Sequence, residues 1–184
     1  DNSASFVNVR TPRLPCHFPA RELVLDKLTQ PGRSLGEADT SDCFHNIDAD
    51  KRYRWLVALF SEKYGPLQFT TLSQGHVNSV HYCLKLVYWL YAHLRAKGLI
   101  TGRASGAFFP TGLGTRSVDS ECWAENHMDD LIFSGGKNDA KSLDQFRNIV
   151  VEMNRRGFPQ SCLKLKPPKR MNGIVETRQY GDFD

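Results

Sequence analysis

No run of eighteen or more apolar residues occurs in the 184-residue chain, so no transmembrane helix and no membrane partner are expected. Its first residues, Asp1-Asn2-Ser3-Ala4-Ser5, have neither a basic n-region nor an apolar h-region, and no signal peptide is visible. Cysteine is sparse: five residues, at 16, 43, 83, 122 and 162, with no Cys-x-x-Cys. A disulfide framework or a structural zinc site needs paired, closely spaced ligands, so reduced and mostly buried thiols in an intracellular setting are expected. Internal repeats and low-complexity tracts are lacking too. Neither sign of charge dominates: 24 Lys and Arg against 20 Asp and Glu leave +4, compatible with a polyanionic partner but no proof of one. With 40% hydrophobic and 11% aromatic residues, the chain can build a core, which excludes a disordered or collagen-like polymer.

Several familiar sites fail on spacing. Asp48-Ala49-Asp50 begins like a calcium loop, but Arg52 and Tyr53 stand where an oxygen ligand and a glycine are needed. No Gly-x-x-x-x-Gly-Lys-Ser/Thr run exists, so the glycines near 102–114 are not a phosphate loop. His76 and His81 are one step too far apart for a same-face helical metal pair. There is no Gly-x-Ser-x-Gly nucleophile elbow.

The chain reads as a mixture of helices and strands. Residues 1–18 look extended, punctuated by Pro12 and Pro15, and Pro19 to Leu28 reads as a short helix stopped by Pro31-Gly32. Strands are predicted from Ser34 to Asp39 and from Tyr53 to Phe60, the second on the alternation of Trp55, Val57 and Leu59 with Arg54, Leu56 and Ala58. After Asn78-Ser79, Val80, Cys83, Leu84, Val87, Leu90, Tyr91 and Leu94 recur at helical spacing, with Gly98 just past the end. A second helix is predicted from Asp139 to Arg156 on the stripe Leu143, Phe146, Ile149, Val150 and Met153, with Asn138 or Asp139 as cap and Gly157 as stop. Residues 99–122 are rich in Gly and Ser and read as an insertion. Between insertion and second helix, Asn126 to Ser134 has the pattern of a tight hairpin with acids at its bend. Strands do not alternate strictly with helices, which argues for an α+β fold with an antiparallel sheet.

The bend is chemically unusual. Asp129-Asp130 runs directly into Leu131, Ile132 and Phe133, so two carboxylates project from a core-seeking segment. Held together they raise each other's pKa unless a cation neutralises them, and oxygen-only ligands suit Mg²⁺. On Asp-Asp alone, a solvated turn is the better explanation. Two further segments bear on the choice. The stretch Asp39-Thr40-Ser41-Asp42-Cys43-Phe44 resembles the first catalytic motif of reverse transcriptases, in which a metal-binding Asp ends a strand and an aromatic follows five positions later. Leu72-Ser73-Gln74-Gly75-His76-Val77-Asn78-Ser79-Val80 resembles that family's Pro-Gln-Gly…Ser-Pro motif, and His127-Met128-Asp129-Asp130 its Tyr-x-Asp-Asp box. All three stand in the family's order. Val7-Asn8-Val9-Arg10-Thr11 with Leu14-Pro15, and Gly157-Phe158 with Leu163-Lys164-Leu165-Lys166, are similar to the finger segment and to the closing helix and lysine strand of retroviral and long-terminal-repeat retrotransposon enzymes. The resemblance spans roughly residues 6–170.

The resemblance implies a right-hand polymerase palm, α+β, its antiparallel sheet backed by helices on one face. Residues 1–38 would be partial fingers and the approach to the palm, and 39–184 the palm with its insertion. It implies an RNA-directed DNA polymerase that adds deoxynucleotides to a primer. Asp39, Asp129 and Asp130 would be both catalytic and metal-binding, holding two Mg²⁺, with Mn²⁺ as a substitute. Phe44 would lie under the incoming sugar and exclude a ribose 2′-hydroxyl, though an ordinary core ring is the plain alternative. Gln74 and Gly75 would line the nucleotide pocket, or simply make the turn before a helix. Met128 would touch the primer end or be a buried Met, and Lys166 is the choice for a lysine near the triphosphate, against a solvated strand lysine. Implied partners are an RNA or DNA template-primer, deoxynucleoside triphosphates, and the missing fingers, thumb and ribonuclease H of a longer polyprotein. Cytoplasm or a virus-like particle would house such chemistry, with the nucleus as an alternative. The sequence departs from the pattern at Ser73 and Val80, each in place of Pro, at His127 in place of Tyr, and at Glu125 and Asn126 in place of apolar residues. These departures favour a second reading, a catalytically inactive retroelement-derived domain that binds nucleic acid or protein. A metal-dependent nuclease is a third, without a nuclease motif to support it.

Overall fold

The computed structural model describes residues 7–16, 18, 31–100 and 122–170. The expected helix at 19–28 and nearly all of the expected insertion lie outside the described residues. The elements in order are a single helical turn α1 (Val7–Arg10), β1 (Ser34–Asp39), a 3-10 helix (Lys51–Val57), β2 (Ala58–Ser61), β3 (Gly65–Gln68), α2 (Ser79–Ala96), β4 (Trp123–His127), β5 (Asp130–Gly135), α3 (Asp139–Arg155) and β6 (Lys166–Arg170). The fold is α+β. A four-stranded antiparallel sheet has the order β4-β5-β1-β6, and β2-β3 form a separate two-stranded sheet.

The large sheet has one heavily packed face. Ala38 of β1, Ala124 of β4, and Leu131 and Phe133 of β5 join Val87, Leu90, Tyr91 and Leu94 of α2 and Phe146, Ile149 and Met153 of α3 in one buried cluster. Both helices therefore cover the same side. Phe133 meets Phe146 edge-on with ring centroids 5.3 Å apart, an arrangement the ring quadrupoles favour. On the opposite face Leu35, Trp123 and Ile132 make a smaller cluster. Helix ends follow their local chemistry. The Asn138 side chain accepts from the Lys141 amide at 3.0 Å and caps α3. Beyond α2, Gly98 takes a φ of +72° and the Leu99 amide bonds back to the Leu94 carbonyl at 3.0 Å.

Four expectations are corrected. Residues 51–57 form a 3-10 helix, because the Asp50 carboxylate accepts from the Arg52 amide and starts a turn; of the expected strand only residues 58–60 are extended, and the strand runs on to Ser61. Part of the expected extended N-terminal segment is the helical turn α1. The lysine strand begins at Lys166, not at Leu163, since residues 162–164 make a turn with the Lys164 amide on the Ser161 carbonyl. Its Pro167 and Pro168 lack amide donors and sit on an outer strand of the sheet, where that lack is tolerated. Lastly, Cys43 and Cys83 are joined as a disulfide, since the loop after β1 folds onto the first turns of α2. Of the three free cysteines only Cys122 is buried; Cys16 and Cys162 are exposed.

Candidate active site

Strand pairing brings the distant acids together. Asp39 ends β1 directly opposite Asp130, the first residue of β5, and the Thr40 amide donates to the Asp129 carbonyl at 2.9 Å. The β4-β5 bend is a two-residue loop, Met128-Asp129, closed by the His127–Asp130 pair. Met128 has a φ of +55°, at the loop position that tight hairpins normally give to Gly. A bulky residue there costs roughly 1–2 kcal/mol, which the surrounding pairing must offset. The His127 ring packs on Phe18 at 5.6 Å.

The cluster is short of positive charge. Burial pushes the Asp130 carboxyl up to about 7, reinforced by Asp129, Asp39 and Glu37 and by a hydrogen bond with Asp39. Burial, with Asp39 adding to it, likewise raises Asp129. Among the described residues, Lys164 reaches the group: its Nζ donates to Asp39 Oδ1 at 3.1 Å, and that bond raises the lysine's own pKa. Lys166 instead donates to Glu37 Oε2 at 2.9 Å. Lys164 lies in the segment that resembles the lysine strand, but its distance from Asp39 along the chain leaves no local sign of this contact.

Oxygen-only donors, with Asp129 and Asp130 raised in pKa, fit a hard divalent cation in kind. Their resting arrangement is not a finished coordination sphere: among the described residues no three His, Cys, Asp or Glu side chains are grouped to hold an ion.

The loop that carries Gln74 and Gly75 is held from the N-terminus. Asn8 donates from Nδ2 to the Gly75 carbonyl and accepts from the Val77 amide, both at 2.8 Å, so one side-chain amide pairs with two backbone groups. Asn78 repeats the device, accepting from the Leu14 amide at 3.0 Å and donating to the Pro12 carbonyl at 2.9 Å. Gln74 and Gly75 are exposed, and Gly75 has a φ of +87° with open space on its Cβ side. The Gly75 carbonyl is held by Asn8 rather than by the acids. Phe44 is half-buried and packs against the core edge. The polar departures in β4 are buried: Glu125 stands 4.0 Å from Arg95 of α2, and the Tyr91 hydroxyl donates to its carbonyl at 3.1 Å. Asn126 is buried with neither side-chain polar atom paired.

With this geometry in hand, two solved structures are informative. The structure of the foamy viral protease-reverse transcriptase dRH in complex with ds DNA superposes with a TM-score of 0.62 at 19% identity, over 92% of this chain and 25% of that one. The fold is reverse-transcriptase-like. The structure of the foamy viral protease-reverse transcriptase in complex with RNA/DNA hybrid gives a TM-score of 0.62 at 18% identity, over 88% and 18% of the two chains. The chain thus spans a quarter or less of the length of these reverse-transcriptase-like neighbours. No known family profile and no curated protein matches its sequence.

Proposed function

We propose that this chain is the palm and part of the fingers of an RNA-directed DNA polymerase of retroviral or retrotransposon type. The observation that carries the reading is the register of Asp39 against Asp130, with Asp129 hydrogen-bonded through its carbonyl to Thr40. It supports a nucleotidyltransferase that binds template-primer and deoxynucleoside triphosphates. Residues 1–38 would belong to the fingers and 39–184 to the palm, working inside a cell or a virus-like particle.

Asp39, Asp129 and Asp130 would hold Mg²⁺, or Mn²⁺ in its place. When bound, such ions supply a lowered pKa at the primer 3′-hydroxyl and charge neutralisation at the triphosphate. The chain's own part is positioning. Asp39 is fixed by strand pairing and by the Ser161 amide on its carbonyl at 2.7 Å, so its carboxylate is aimed without further ordering. Burial and the neighbouring acids raise the Asp130 carboxyl to about 7, and a bound cation would favour its ionised form. Phe44, at the core edge, would exclude a 2′-hydroxyl by bulk. The exposed Gln74-Gly75 loop, braced by Asn8, would offer an amide and an unobstructed backbone to the nucleotide. Met128 at the strained bend would meet the primer end. Lys164 reaches the acid cluster and is better placed for the triphosphate than Lys166, which Glu37 holds.

The second reading, an inactive retroelement-derived domain that binds nucleic acid or protein, draws on the lack of a finished ligand trio and on the buried Glu125 and Asn126. Mg²⁺-dependent extension of a primed RNA template separates the two. Extension by the parent chain that vanishes in Asp129→Asn eliminates the inactive reading. Absence of extension, even with fingers and thumb segments restored on either side, eliminates the polymerase.

A further inference from the structure

The segment after α3 holds Lys164, Lys166 and Lys169; Lys164 touches Asp39, and Lys166 touches Glu37. Its placement is built rather than incidental. The Phe158 amide closes α3 on the Met153 carbonyl at 3.0 Å, and the Ser41 amide donates to the Pro159 carbonyl at 2.8 Å. Gln160 donates from Nε2 to Thr40 Oγ1 and to the Phe158 carbonyl, both at 2.9 Å, while its amide donates to Asn154 Oδ1 at 2.8 Å. The Ser161 amide then donates to the Asp39 carbonyl, and the Lys164 amide closes the turn on Ser161. Backbone and buried side chains thus pin this loop to the end of β1, three residues short of the lysine.

The lysine itself is free to move. Its side chain is 67% exposed while Asp39 is only 13% exposed. A flexible four-carbon stem carrying a compact ammonium can leave without disturbing the braced loop. Asp39 has two oxygens. Oδ1 accepts from Lys164. A divalent cation drawn to Asp39 meets a carboxylate whose charge the Lys164 ammonium already partly compensates.

We propose that Lys164 is the resident counter-ion of the acid cluster and competes with divalent cations for the Asp39 carboxylate, so that it sets the concentration at which the cluster loads. The proposal rests on the polymerase reading for the identity of the ligands but goes beyond it. Lys164 acts through Asp39 and is a positioning residue, distinct in this from Lys166. Exchange releases the ammonium toward solvent at the mouth of the cluster, so loading and the freeing of Lys164 are one event.

The test is Mn²⁺ binding to the whole chain, read from the electron paramagnetic resonance signal of free Mn²⁺, with thermal unfolding in parallel. Lys164→Met is expected to bind Mn²⁺ about three- to five-fold tighter than the parent, the upper range of what loss of an exposed charge pair is worth. In EDTA it should melt below the parent, and added Mn²⁺ should raise its melting temperature more than the parent's. Lys164→Gln serves as the second variant should Met disturb the fold. Lys166→Met controls for the general loss of a positive charge nearby and should leave the affinity within two-fold, an expectation of about 0.4 kcal/mol or less. Equal affinity in Lys164→Met, Lys164→Gln and parent overturns the proposal, as does an equal rise in Lys166→Met. Asp129→Asn tests the ligand set separately. If the parent binds Mn²⁺ and Asp129→Asn does not, an unchanged Lys164→Met sinks the competition alone; if none of the chains binds Mn²⁺, the ligand assignment falls with it.

Discussion

The acid-bearing sheet and the β2-β3 hairpin are both antiparallel and both made of strands six residues long or shorter, yet they live in different environments. Strands β1, β4 and β5 bury nearly every residue between two helices and a second apolar cluster. The hairpin leaves Leu59 opposite Leu67 and Phe60 opposite Pro66, one pair on each side, and all four are exposed. Phe60 reaches 74% exposure, with Tyr53, Trp55 and Tyr64 nearby in sequence also open. An isolated two-stranded ribbon is marginal in water. Stability in this chain is therefore concentrated around the acids, whose geometry must be held, while the hairpin contributes apolar surface and little packing.

The sharpest way to break that contrast is a matched pair of truncations. Phe133→Ala removes a fully buried ring from the sheet and its contact with Phe146; it should cost about 3–5 kcal/mol in urea unfolding. Phe60→Ala should stay within about 0.5 kcal/mol. Comparable losses would mean that the hairpin is packed as tightly as the sheet. A glycine pair comes next. A methyl at Gly135 would run into the Ser142 side chain and lie 2.6 Å from Ser34 Oγ, so Gly135→Ala should cost about 1–3 kcal/mol by overpacking. At Gly65 nothing stands within 4 Å, but φ is +73°; Gly65→Ala should cost about 1 kcal/mol through backbone strain alone.

A pH series sharpens the electrostatic side. The folded chain holds the Asp130 proton up to about pH 7, against 3.8 for the free side chain. A raised acid pKa stabilises the fold fully below pH 4, and that contribution is lost as pH rises through 7. In EDTA, Asp130→Asn should therefore be the more stable chain at pH 8, by roughly 1–2 kcal/mol after allowance for solvent screening. The gap should close toward pH 4, and a gap independent of pH would refute the cause given for the shift.

What was readable from residues follows the same division. Ser34 to Asp39, the hairpin at the acids and both long helices announce themselves, because each has a buried face that imposes a period and an end marked by Asn138, Gly98 or Gly157. Residues 53–60 misled for the converse reason. The alternation of Trp55, Val57 and Leu59 answers to no buried face, and the local Asp50–Arg52 contact decided the conformation instead. Two prolines hid β6, and only its outer position in the sheet makes them tolerable. The acids, Phe44 and the Gln74-Gly75 loop could be named from their order, whereas Asn8 as the brace of that loop could not, since nothing local links residue 8 to residue 75.

Read alone, the chain's residues settle which side chains are acidic, where helices start and stop, and that two carboxylates lead a core-bound strand. Those properties depend on near neighbours and on the cost of leaving apolar side chains in water. Tertiary packing alone decides that Asp39 stands opposite Asp130, that Cys43 finds Cys83, and that Lys164 rather than Lys166 neutralises Asp39. Each of these is a pairing between remote segments, and such pairings form only when loop-closure entropy is offset by a shared core.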